Sequence, residues 1–537
     1  MKRLVISIVV MATIVGSVFA QGEIDAYKLS RNDLKGSARS VAMGGAFGAL
    51  GGDVSGVAIN PAGIGVYTSS EIVTTMNFSN TNTKTELNAG EIDDRKFKFS
   101  FDNLAYVGAF PTGDYNVPFV NFGFSYNRLK NFDRQISMQG NNLNSSIIDY
   151  MAYRAGQTNT NDLGLVSNPY AFQDADWLGV LGYNTFVTGL QGYDSETGYN
   201  YTKRGNYSGN YGSILGNGEQ VNNRMFLHEK GYINSYDFNV GTTISNILSL
   251  GVTISVTDLN YNLYSEYDET FLGPEGGSMY LTNQLRTEGA GYQFKGGIIL
   301  KPIQQLRLGV SYHSPTWYNL TDTYTAQLDA IGNKVDSWDY ENGVSSFDYN
   351  FKTPDKWTFS LAGVIGKRAI ISADYELTNY GNMTLNTTNG SPLSNGIPNA
   401  TISEHFKTSG ALRVGGEFRF TPQITGRVGY SWVESPIESK VKDGVTEIVT
   451  AGATPQYTID GNANYFTYGA GYKFNNSNNN PNNYFYIDIA FIMKNQKDDL
   501  YPFSSVVNND GSVAINSVPA KLTTNSFGGL LTLGYKF

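Results

Sequence analysis

The 537-residue chain contains no cysteine and only three histidines, His228, His313 and His405. Without cysteine there is no disulfide framework, thiol nucleophile, Cys-ligated zinc or Cys-linked lipid anchor. Charged residues make up 16 %, against about 25 % in an ordinary soluble domain. Basic blocks are absent and the formal charge is −9, which argues against nucleic-acid binding. The body of the chain has no apolar run of 18 residues, so a helical membrane bundle is excluded. Neither GxxxxGK[ST] nor GxGxxG occurs, and no Ser–His–acid constellation stands out. No catalytic residue, metal site or cofactor is therefore expected. What the chain does have is 37 Tyr, 30 Phe and 60 Gly. The mean hydropathy is −0.28, because Gly, Asn, Ser and Thr dilute the apolar residues.

Met1–Ala20 reads as a secretory signal. Lys2 and Arg3 precede the apolar run Leu4–Val15, and Val18-Phe19-Ala20 puts small residues before a cut at Gln21. The rest is dominated by period-2 alternation. In 412–420, Leu412, Val414, Phe418 and Phe420 share one face, while Arg413, Glu417 and Arg419 share the other. Fourteen such segments are placed near 68–80, 95–110, 117–130, 229–244, 248–266, 285–301, 304–315, 355–366, 368–380, 407–420, 423–435, 463–474, 483–496 and 523–537. Several are long enough to cross a bilayer at a tilt.

Connections alternate long and short. Long ones are expected near 81–94, 131–228, 267–284, 316–354, 381–406, 436–462 and 497–522. Short ones include Asn246-Ile247, Gly366-Lys367 and Thr421-Pro422. The pattern implies an all-β fold, a 14-stranded antiparallel transmembrane β-barrel at 68–537, with both chain ends on the short-turn, periplasmic side. Soluble sandwiches and propellers would show shorter strands at even spacing. The last strand carries Leu533, Tyr535 and Phe537 on one face. Ending on Phe with Tyr two before it, it resembles the signal read by the barrel assembly machinery.

Residues 21–67 are not strand-like. They hold Gly44, Gly45, Asp53 and the run Asn60-Pro61-Ala62-Gly63 in a glycine-rich context, suited to close packing as a plug. The stretch from Gly36 to Tyr67, ARS…AMGGAFGALGGD…INPAGIG, resembles the N-terminal hatch of the FadL family of outer-membrane transport proteins, in the branch found in Bacteroidetes-type bacteria. The resemblance implies that Asn60, Pro61, Ala62, Gly63, Gly44, Gly45 and Asp53 belong to a gating hatch. It also implies passive uptake of long-chain fatty acids or other hydrophobic molecules: capture by outer loops, passage to an inner site, and lateral release through an opening made by a kinked strand. A monomer in outer-membrane lipid is the expected state.

A fatty-acid channel needs a positive group for the carboxylate. By alternation, Lys295, Arg307, Arg413, Arg419, Arg427 and Lys473 face the lumen. Arg413, Arg427, Arg307 and Lys295 are the ligand-binding candidates, although Asp237, Asp374, Glu376, Glu417 and Asp488 can pair with such cations. Within 131–228, a helix near Ile147–Ala155 and the apolar Trp177–Leu181 fit either a cap on the barrel or an outer capture site. The alternatives are an interaction or secretion-associated barrel, a haemin or other hydrophobic-ligand receptor, and a hydrophilic porin.

Overall fold

Along every crossing segment the apolar residues point away from the axis, as lipid on the outside demands. In the computed structural model this alternation closes into a barrel. The structure describes residues 22–537 except 89, 159, 275, 341–342, 367, 443, 445, 449, 451–453, 475–482 and 509. The expected signal peptide and Lys367 of one turn lie outside the described residues.

The fourteen strands are β1 (Glu71–Leu87), β2 (Gly90–Pro111), β3 (Phe119–Asn131), β4 (Val221–Ile244), β5 (Leu248–Phe271), β6 (Ser278–Ile303), β7 (Leu306–His313), β8 (Lys356–Ile365), β9 (Ala369–Asn379), β10 (Thr408–Arg419), β11 (Ile424–Val433), β12 (Ala463–Lys473), β13 (Tyr484–Tyr501) and β14 (Ala520–Lys536). Each pairs antiparallel with its sequence neighbour. Closure comes from β14 on β1, Glu71↔Lys536 to Glu86↔Lys521. A closed sheet leaves no edge to be solvated by lipid.

All fourteen expected strands are present, but several run farther than their apolar alternation. On β5 the outward residues Val252, Ile254 and Val256 are about half exposed, and Asp258, Asn260 and Asn262 then continue the same face. β4, β5 and β6 have 24, 24 and 26 residues, roughly twice the 9–11 needed to span a bilayer. The expected long loops near 81–94, 267–284 and 316–354 are therefore mostly strand, including Trp317–Ala330 and Ser345–Lys352. Above the lipid belt the outward face is polar, so the sequence pattern lost its apolar marker there.

Inside this extension sits a large apolar core. Helices α4 (Ile147–Ala155) and α5 (Trp177–Asn184) from the 131–228 segment belong to it together with Tyr261, Tyr267 and Tyr324, and Trp177 packs edge-on against Tyr324 at 4.6 Å. That segment is thus a self-packed cap.

The hatch fills the lumen below. It comprises α1 (Glu23–Ser30), α2 (Ala38–Ala42), α3 (Val54–Ile59) and a tight 3₁₀ turn, Pro61–Val66. α1 belongs to the upper apolar core through Ile24, Tyr27 and Leu29, and Lys28 reaches Tyr261 at 3.0 Å. From there the chain descends to Ser70, which exchanges backbone hydrogen bonds with Phe537 at 2.9 and 3.0 Å. The expectation that both ends lie on the short-turn side therefore needs correction. Phe537 is there, but Gly22 lies at the long-loop end of the lumen.

Glycines in the wall make this packing possible. A Cβ on Gly251 would strike the Pro61 carbonyl, one on Gly297 the Asn60 side chain, and one on Gly429 the Gly44 backbone. The hatch backbone rests directly on the strands there. Gly297→Leu is expected to dislodge the hatch while the barrel still forms. Conductance in planar bilayers should rise with heat-dependent gel migration retained; unchanged conductance would show that the hatch accommodates the side chain.

Candidate functional site

The hatch is held by caps and amides. Asp53 caps α3 through Ser55 N at 2.9 Å and accepts the Ser37 hydroxyl at 2.9 Å, while Ser37 caps α2. Asn60 is buried. Its Oδ1 accepts from Ala62 N at 3.1 Å, and its Nδ2 donates to Gly48 O at 2.7 Å and to Ile298 O of β6 at 3.2 Å. Pro61 opens the 3₁₀ turn, where its fixed φ and missing N–H cost nothing. Gly63 packs on Gly51, and Gly44 and Gly45 take positive φ of 66° and 76°. Gly45 lies against Arg413 of β10.

The four ligand-binding candidates are spoken for. Arg413 pairs with Glu376 at 3.1 Å, and Lys295 with Asp237 at 3.4 Å. Arg427 bridges Glu417 at 2.7 Å and Asp488 at 2.6 Å, and Arg39 of the hatch joins the same Glu417 at 2.9 Å. Burial works against the Arg39 charge, and Glu417 more than offsets it, so its pKa stands above the ordinary value. Arg307 donates to the Leu50 carbonyl. Arg39 and Arg307 latch the hatch to the wall, whereas the pairs of Arg413, Lys295 and Arg427 join strand to strand, and none of these groups borders the chamber described below. Arg419 and Lys473 line a small cavity at the short-turn end. Tyr535 and Phe537 stack at 5.7 Å on the lipid face of β14, with Leu533 half-buried on the same face.

The wall has a break that the sequence did not reveal. β2 pairs with β3 only from Asn103↔Asn127 to Pro111↔Phe119. Just above, a bulge in β2 inserts one residue between Thr75↔Asn103 and Met76↔Phe101. Asp102 and Asn103 both turn inward as a result and are fully buried. β3 ends at Asn131, skips Phe132 and Asp133, and resumes as Arg134–Leu143, which stays on β4. Among the described residues no ladder joins this continuation to the β1–β2 tip. Side chains replace it: Thr83 donates to Gln135 O at 2.6 Å, and Asp94 accepts from Ser137 N at 2.6 Å. Lys98 spans the break to Asp133 at 3.0 Å. On the lipid side stand Phe78, Phe97, Phe99 and Phe101, all exposed.

Behind the break lies a cavity of about 200 Å³, roofed by α1 and walled by β1, β2, β13 and β14. Lys28, Arg31, Lys35, Lys96, Lys98, Lys130, Arg134 and Lys494 line it against Asp33, Asp133, Glu229, Asp460 and Asp498, eight cations against five carboxylates. Five of the cations are paired: Lys28 and Arg134 with Glu229, Arg31 with Asp460, Lys35 with Asp102, and Lys98 with Asp133. Among the described residues, Lys96, Lys130 and Lys494 have no carboxylate within ion-pair distance. Lys96 meets His228 at 3.3 Å, Lys130 donates to the Lys28 carbonyl, and Lys494 lies over the Tyr465 ring. The field is positive. Burial pushes Asp33 up, but Lys494, Lys130, Lys35 and Arg31 outweigh it and hold this carboxyl below its ordinary range. Toward the short-turn end the lumen is closed by a polar network, in which Asn127 links Asn103 at 2.7 Å to Asp237 at 3.0 Å, and by the hatch.

The family described as outer membrane protein transport protein (OMPP1/FadL/TodX) matches residues 239–500. A Pseudomonas aeruginosa FadL homologue shares 13 % identity over 94 % of this chain and 99 % of its own, with a TM-score of 0.53. At that identity the likeness speaks for the fold. The toluene transporters TodX of P. putida and TbuX of Ralstonia pickettii each share 12 % over 94 % of this chain and 99 % of theirs, both with a TM-score of 0.47. No curated protein matches the chain.

Replacing Lys96, Lys130 and Lys494 together by Gln removes three positive charges from the cavity and should weaken the binding of an anionic amphiphile used as a probe, such as oleate, by about 1.5 kcal/mol or more, roughly tenfold. Binding of oleyl alcohol, with a neutral head, should stay unchanged. Calorimetry in detergent checks both.

Proposed function

We propose that this chain, whose residues 239–500 match the family described as outer membrane protein transport protein (OMPP1/FadL/TodX), is a passive channel for long-chain fatty acids, or amphiphiles built like them. The observation that carries this reading is a cationic chamber lying directly behind a break in the barrel wall. At about 200 Å³ the chamber is smaller than the roughly 300 Å³ at which ordinary small-molecule sites begin. It suits the charged head of an amphiphile, with the tail lying in the break among Phe97, Phe99 and Phe101. Three lysines without carboxylate partners favour an acid over a neutral hydrocarbon.

In this reading the ligand is first taken up by exposed apolar side chains of the cap, such as Leu190 and Tyr193. It moves to the chamber, and it leaves sideways. Direct passage to the periplasm is disfavoured, because polar pairs and the hatch fill that route and offer nothing to an acyl chain. Asn60, Pro61, Ala62 and their glycine neighbours keep the route shut. The C-terminal Leu533, Tyr535 and Phe537 serve recognition by the barrel assembly machinery. The protein acts as a monomer in the outer membrane with Phe537 toward the periplasm.

The absence of native cysteine makes a clean test available. With Lys98→Cys and Asp133→Cys joined by a reducible thiol cross-linker, uptake of labelled oleate should fall to the level of cells lacking the protein, and reduction should restore it. Full uptake in the cross-linked state would redirect the route through the hatch. Entry of a small sugar through the unaltered protein would identify a porin, and no flux of either would favour an interaction barrel.

A further inference from the structure

Asp102 is the bulged residue at which the β2–β3 ladder stops, and its carboxylate is completely buried. Four bonds hold it. Lys35 of the hatch donates to both oxygens at 3.1 Å, Asn77 of β1 donates at 2.6 Å, and the Ser100 hydroxyl donates at 2.8 Å. A carboxylate this deep needs a partner charge, since several kcal/mol of desolvation must be offset. Lys35 supplies it, and Lys35 also borders the chamber. The other hatch cations near the chamber point elsewhere, Lys28 to Glu229 and Arg31 to Asp460. Lys35 thus ties the chamber to the β2 edge of the break, as Asp33 of the hatch, accepting from Asn131 N at 3.4 Å, ties it to the β3 edge.

We propose that Lys35 and Asp102 form a ligand-released latch: the anionic head of a bound amphiphile takes Lys35 from Asp102, the bulge relaxes, and the break between β2 and β3 widens to pass the tail. The proposal rests on the chamber reading above. Competition is the physical core of it. Lys35 carries one charge and three donors, and a ligand carboxylate arriving beside it is drawn by the same surplus of cations that already depresses Asp33. Asp102 is left with Asn77 and Ser100, which keep its oxygens hydrogen-bonded but supply no counter-charge, so the carboxylate must move toward water and the bulge that holds it gives way. A neutral head of equal length has no means to compete. The latch therefore makes opening depend on head charge rather than on the fit of the tail.

The test uses spin labels at Arg95→Cys on β2 and Tyr126→Cys on β3, both outward-facing and neither part of the proposed tail site, in an otherwise unaltered chain in lipid nanodiscs. Oleate should lengthen the label separation by about 5 Å, one strand spacing, and oleyl alcohol should leave it unchanged. Asp102→Asn and, separately, Lys35→Gln should show the longer separation with no ligand added. Lys35→Gln leaves the Asn77 and Ser100 bonds in place, so it carries the test if Asp102→Asn fails to fold by heat-dependent migration. Oleate that binds by calorimetry without altering the separation, or variants that keep the short one, would overturn the latch and leave the chamber reading standing. No oleate binding to the unaltered protein would overturn the chamber reading itself.

Discussion

In lipid, every main-chain N–H and C=O must find a partner within the protein. That constraint closes the fourteen strands into a ring, with β14 meeting β1 over sixteen residue pairs. It also gives the one irregular stretch of wall its meaning. Where β2 and the continuation of β3 lose their ladder, the side chains of Thr83, Thr85 and Asp94 take over the backbone groups of Gln135 and Ser137. A wall sealed by side chains can part without exposing a whole ladder to hydrocarbon.

The hatch obeys the same rule from inside. Its helices are short, so much of its backbone must be satisfied by caps and by the barrel. Ser37, Asp53 and Asn60 cap its successive turns. Asn121 and Thr243 of the wall donate to its carbonyls at Ile64 and Gly65, at 2.7 and 2.6 Å, and Asp374 accepts from Phe47 N and Gly48 N, both at 2.9 Å. Glycine in the wall lets the two backbones meet. The glycine content of the chain is thus a packing requirement as well as a turn requirement.

The lumen cations fall into two populations. Arg39, Arg413, Arg427 and Lys295 are matched by carboxylates and hold parts together. Lys96, Lys130 and Lys494 are not so matched, and they gather where the wall is broken. A buried charge without a counter-charge is costly, so these lysines belong where water or an anionic ligand completes their shell. Lys35 stands between the two populations, paired to the wall yet open to the chamber.

The alternation of apolar and polar residues by itself determined the number of crossings, their order and the outward sense of the apolar face, because lipid outside and hatch inside impose opposite polarities on successive side chains. The non-strand segment before the first strand was legible too, through its glycine-rich run and the turn at Asn60-Pro61. The helix at Ile147–Ala155 was marked by its own periodicity. The strand extensions above the belt were hidden because water wets their outer face and removes the apolar marker. The roles of the inward charges were decided only by the tertiary structure. Arg413 and Lys96 both alternate inward, and nothing local tells them apart. Which of them meets a carboxylate depends on strand register across residues far apart in the chain. The break depends on a single extra residue at Asp102, a change too small to disturb the pattern but large enough to end a ladder.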